Sequence, residues 1–187
     1  MVPSIVLYED QLGQQVTEFG PHVLLIQCVA DLLEQSPHEL KKRLVPRPMK
    51  GKEKVARCLL EDLQNLACDF AWILVLIDGD RLREIAQLDN PRNEGDIRRA
   101  ILKRHPVDGQ KVVPVVLENN MESLLEACRR CWPGLPVGRK AKPSPIERDG
   151  VLNKIAWAPD MGVRQCVLNG CPALEQLRNF SACAVSG

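Results

Sequence analysis

Two short runs stand out along the chain. Residues 4–8 form a β-branched and aromatic run, and residues 71–77 a longer one of Ala, Trp, Ile, Leu and Val, bounded by Asp69 and Asp78. Residues 4–8 predict a first strand, and the unbroken apolarity of 71–77 predicts a strand covered on both faces, as in a parallel sheet. Residues 111–117 predict a third strand, in which Pro114 points to a sheet edge or a bulge because it cannot donate to the ladder. Between the strands the period lengthens. Gly20-Pro21 opens a helix that is apolar on most sides through Val23, Leu24, Leu25, Ile26, Cys28, Val29, Leu32 and Leu33, which predicts burial. Ser36-Pro37 starts a short second helix that must stop before Pro46 and Pro48. Val55, Leu59, Leu63 and Leu66 recur at helical spacing, so an amphipathic helix is predicted over residues 50–68. Residues 81–87 and 95–104 read as helices around an Asp89-Asn90-Pro91 turn. Residues 119–131 read as a helix with Leu124, Leu125 and Cys128 on its inner face. A Pro/Gly/Lys-rich connector at 133–145 leads to three short helices near 146–157, 161–168 and 172–180.

This alternation predicts an α/β fold: a small, mainly parallel sheet flanked by helices, with a helical C-terminal tail. The expected division is an α/β core over 1–132, carrying a basic helical insertion around 37–68, followed by a linker and tail over 133–187. A chain of 187 residues, 45% hydrophobic and 26% charged, can bury a real core, and this composition excludes wholesale disorder and collagen-like repeats. The longest uncharged apolar run is 71–77, far short of the roughly 20 residues a membrane span needs. No basic region precedes the first apolar stretch, which reads as a strand rather than a signal peptide. With eight cysteines (28, 58, 68, 128, 131, 166, 171 and 183), that predicts reduced thiols and a cytoplasmic location. Cys28, Cys58 and Cys68 sit among apolar neighbours and read as small buried hydrophobes. Cys128-x-x-Cys131, with Cys166 and Cys171 much later, leaves a small zinc-stapled module as an alternative.

The candidate chemistry lies at the carboxyl ends of the strands, where open α/β sheets build their sites. The first strand ends at Glu9-Asp10, the central one at Asp78-Gly79-Asp80, and the later one at Glu118, with Glu122 four residues on. If these strands are neighbours, Glu9, Asp78 and Asp80 converge. Carboxylates that close repel unless protons or cations neutralise them, and hard oxygen donors suit Mg²⁺ or Mn²⁺. Gly79 lets the backbone turn between the two aspartates. Asp80 can equally cap a helix beginning at Arg81. A basic block from residue 41 to 57 (Lys41, Lys42, Arg43, Arg47, Lys50, Lys52, Lys54 and Arg57) is either a phosphate-attracting surface or a solvated segment. Arg81 adds a cation beside the aspartates. His22, His38 and His105 are not grouped and read as structural; Tyr8 lies within the strand and reads as packed. No Gly-rich phosphate loop of the Walker type is present.

The segments Ile5-Val6-Leu7-Tyr8-Glu9 and Ile73-Leu74-Val75-Leu76-Ile77-Asp78-Gly79-Asp80 resemble the two signatures of the Toprim fold. Residues 115–125 and the tail from Val163 to Leu177 are similar to segments of small Toprim-like proteins of phage-defence operons, the RloB-like and related groups. The resemblance spans about two thirds of the chain. It implies a divalent-metal-dependent nuclease acting on DNA or RNA, the effector of an antiviral defence system working with an ATPase. Glu9 is then metal ligand or general base, and Asp78 and Asp80 are metal ligands. Glu122 either completes the site or caps a helix. Lys142, Arg148 or Lys154 is then an assisting cation, and the basic block with Arg81 binds nucleic acid. Homo-oligomerisation is left open. Asp10 departs from the Gly that usually follows the first Glu of that fold. A non-catalytic Toprim-like binding subunit is the alternative.

Overall fold

The computed structural model describes residues 2–9, 20–51, 54–55, 58, 63–78, 95–96, 99–100, 103, 112–117, 121–135 and 144–186. In chain order the elements are β1 (Ser4–Glu9), α1 (Pro21–Leu33), α2 (Pro37–Arg43), β2 (Leu44–Met49), α3 (Leu63–Asp69), β3 (Ile73–Asp78), β4 (Val112–Leu117), α4 (Met121–Cys131), α5 (Pro145–Ala156), α6 (Met161–Gly170) and α7 (Pro172–Ser186). Among the described residues, four strands form one all-parallel sheet in the order β2-β1-β3-β4. The architecture is therefore α/β with flanking helices and a helical C-terminal tail. Of the helices expected over 81–87 and 95–104, the first lies outside the described residues and the second is described at a few positions only. Among the described residues, no helix is long and apolar enough to cross a membrane.

The strand residues alternate between two apolar layers, which explains why their sequence shows no polar face. Val6, Tyr8, Leu74, Leu76, Val113 and Val115 face a core shared with α1, α4 and the tail. Ile5, Leu7, Ile73, Val75, Ile77 and Val112 face Val55, Cys58, Leu63 and Leu66 on the other side. α1 sits deep in the first layer, buried from Pro21 to Ala30. Gly20 turns the chain into it at φ 116°, a left-handed angle that costs a side-chain-bearing residue steric energy. The predicted amphipathic helix over 50–68 is described as α3 at its end, whereas Lys50 and Gly51 form a bend.

β2 is a strand that the sequence pattern does not announce. Residues 45–48 read as a helix breaker, yet β2 pairs with β1 along all six residues from Ser4↔Leu44 to Glu9↔Met49. The prolines are tolerated because β2 is an edge: their nitrogens turn to the open side, and the donors to β1 come from the alternate residues. Pro114 likewise lies on an edge strand, opposite Val75.

The tail is part of the main core. Leu152, Ile155, Val167, Leu168, Leu174, Leu177 and Val185 join the same buried cluster as the sheet, and α7 packs on β3 and β4. Arg164 of α6, 6% exposed, donates two hydrogen bonds to Asp31 at 2.5 and 3.0 Å and two more to the carbonyls of Ala156 and Ala158 at 3.1 and 2.7 Å. α5 starts with a capping box in which Ser144 and Glu147 satisfy each other's backbone N–H groups. The last helix runs six residues beyond the predicted end at 180, closing over the core with Ser181, Ala182 and Val185.

Two expectations about cysteines are corrected. Cys28 and Cys58 are buried, but Cys68 is exposed near the end of α3. Cys131 and Cys166 are joined by a disulfide with Cα atoms 5.7 Å apart, so the thiols are not all reduced. The helices approach closely here because Gly170 has no side chain: a Cβ added there would lie 3.2 Å from that of Ala127. The bond also consumes two of the four sulfurs of the alternative zinc site.

Candidate functional site

The sheet order fixes where the strand-end acids fall. From β1 the chain moves outward to β2, then crosses back to place β3 on the other side of β1. The crevice between the carboxyl ends of β1 and β3 is thus the topological switch point, the usual ligand position in such sheets. Glu9 ends β1 and Asp78 ends β3, both half-buried. Register sets Tyr8 level with Leu76. Glu9 therefore falls beside Ile77, one residue short of Asp78, with Cα atoms about 6 Å apart from strand spacing and rise.

The pleat separates them again. Glu9 continues the face of Ile5 and Leu7, and Asp78 that of Leu74 and Leu76. The two carboxylates leave the sheet edge on opposite faces and can meet only beyond the strand ends. Glu122 stands in the first turn of α4, exposed, five residues past Leu117 at the end of β4. Asp80 and Arg81 lie outside the described residues. Among the described residues, no three His, Cys, Asp or Glu side chains form a metal-holding group; Glu9, Asp78 and Glu122 do not constitute one.

The basic block is divided by β2. Lys41, Lys42 and Arg43 close α2 and so precede β2 at the amino edge of the sheet. Lys42 pairs there with Glu39 at 2.8 Å, and this hydrogen bond and charge hold the Glu39 carboxyl below its ordinary range. Arg47 is half-buried within β2, opposite Leu7. Lys50 follows Met49, the partner of Glu9, and is exposed at the carboxyl edge. Lys54 is exposed further on, and Lys52 and Arg57 lie outside the described residues or have no described side chain. Of the other candidate cations, Arg148 donates to Asp149 at 3.2 Å, Lys154 is exposed on α5, and Lys142 is not among the described residues.

Behind Glu9 lies a polar contact that the sequence reading missed. The Tyr8 hydroxyl and His22 Nδ1 are 2.5 Å apart, buried, with the rings stacked at 5.6 Å. With Nδ1 as acceptor, Tyr8 O–H donates and the ring proton rests on Nε2. The spacing of 14 residues, across a connection between strand and helix, carries no periodic signal. Only the rule that a helix after a strand starts at the strand's carboxyl end would have brought these residues together.

Compared with known proteins, the chain matches no family model, no curated protein and no solved structure.

Proposed function

We propose that this protein is a divalent-metal-dependent phosphodiesterase acting on DNA or RNA, built on a Toprim-like core and acting in antiviral defence with an ATPase partner. The observation that carries the reading is the placement of Glu9 and Asp78 at the ends of neighbouring parallel strands, at the switch point of the sheet. The donor chemistry suits a hard cation, since both groups are carboxylates. Glu9 and Asp78 would hold Mg²⁺ or Mn²⁺, with Asp80 as the third ligand read from the sequence. Such an ion supplies Lewis acidity at a phosphodiester oxygen and lowers the pKa of a water. Glu9 can accept the proton of the attacking water, and Lys50 offers a cation to the phosphate from the adjacent strand end. The resemblance of the two signature segments supports the assignment to nucleic acid.

The test is cleavage of plasmid, single strands and tRNA with Mg²⁺, Mn²⁺ or EDTA. Glu9→Gln and Asp78→Asn should each lower metal-dependent cleavage by about 100-fold or more while circular dichroism stays native. Full cleavage by both folded variants overturns the reading. The opposite facing of the two carboxylates favours a second reading, a non-catalytic binding subunit. Its signature is salt-sensitive nucleic-acid binding with no cleavage and no heat on Mg²⁺ titration.

A further inference from the structure

The disulfide stands alone in a chain of thiols. Six of the eight cysteines stay outside any disulfide, whereas a scaffold that relies on disulfides pairs its cysteines. The bond is also reachable: Cys166 is exposed on α6 and Cys131 half-buried at the end of α4. It is not what seats α6. Val167 and Leu168 are 0% and 2% exposed in the core, and the four hydrogen bonds of Arg164 fix the same helix to α1 and to the end of α5. Beneath the bond, one turn back on α4 and one residue past α6, Cys128 and Cys171 are buried and close enough to interact electrostatically. Burial pushes the Cys128 thiol up to about 12, which keeps it protonated and a poor nucleophile. Cys128 is thereby a poor exchange partner for the surface pair.

We infer that Cys131–Cys166 is a reversible redox latch between α4 and α6, opened by a low-molecular-weight thiol and closed by the corresponding disulfide, with the fold intact in both states. In opening, a thiolate RS⁻ attacks Cys166 Sγ, the exposed sulfur. The Cys131–Cys166 bond breaks, and Cys131 leaves as thiolate and takes a proton. A second RS⁻ attacks the R-bearing sulfur of the mixed disulfide, releasing Cys166 as thiolate, which is protonated, and RSSR. Two RSH are oxidised and the chain gains two electrons and two protons. Closing is the reverse. The latch does not depend on the phosphodiesterase reading.

The experiment equilibrates the full chain in buffers of varied reduced-to-oxidised glutathione ratio, quenches in acid, unfolds, alkylates and weighs it. The expected result is a reversible passage between six adducts (closed) and eight (open), with peptide mapping to Cys131 and Cys166 and an unchanged circular dichroism spectrum. Cys131→Ser and Cys166→Ser should fold and show no such passage. Six adducts persisting in a large excess of reduced glutathione would make the bond a permanent staple and overturn the latch. So would eight adducts in oxidised glutathione, loss of helical signal on opening, or a reduced chain that holds zinc and cannot reclose.

Discussion

Arg164 illustrates how one side chain can hold a tail helix to the buried helix α1. Its guanidinium is out of water, bonded to one carboxylate and two carbonyls, and the hydrogen bond to Asp31 raises its already high pKa further. Removing either partner strands the other. Arg164→Met or Asp31→Asn should cost about 3 kcal/mol, below the upper end for fully buried pairs because Asp31 retains 24% side-chain exposure; urea denaturation of the two variants measures it. At the same scale, burial pushes the Cys28 and Cys128 thiols up to about 12. Unfolded thiols release their proton near 9, so between pH 9 and 12 the folded chain retains protons the unfolded chain has lost. Stability should fall as pH rises through that window. Thermal melts of reduced protein should show a smaller fall for Cys128→Ala than for the parent chain.

Among elements, legibility followed the source of the signal. β1, β3 and β4 are covered on both faces, so their apolar runs stand out in a single pass. α1 could be read from Gly20-Pro21 and its all-round apolar character. β2 could not, since its stability comes from pairing with β1 and its sequence, with two prolines among six residues, carries the local signal of a break. The tail helices were readable as three short segments, and the start of α5 is fixed by its cap: Ser144 accepts from the Glu147 N–H, and Glu147 returns the bond to the Ser144 N–H. Ser144→Ala should cost about 1 kcal/mol, measurable by denaturation. The contact between α4 and α6 was invisible because it depends on an absent side chain. Gly170→Val should wedge the helices apart at Ala127 and slow closure of the Cys131–Cys166 bond, as followed by alkylation.

At the scale of the molecule, the strand-end acids were readable as a set of positions, because their carboxyl-end location follows from chain direction. Their facing was not readable, because it depends on a register that only the paired strands define. The disulfide closes a loop with a sequence separation of 35. By chain entropy, opening it should lower global stability by about 3–4 kcal/mol, a fall in melting temperature of about 10 °C for a chain of this size. Scanning calorimetry with and without reductant checks both figures.

The outer rim of β2 has a consequence for how copies of this chain can meet. Its outward positions are residues 44, 46 and 48. Two are prolines, and the N–H of Leu44 is already spent on the carbonyl of Leu40. Among the described residues, that flank therefore offers an extended peptide acceptors but no donor, so the peptide cannot zip onto the ladder of β2. On these residues, assembly by β-addition is disfavoured along β2 and directed to helical surfaces or the opposite rim.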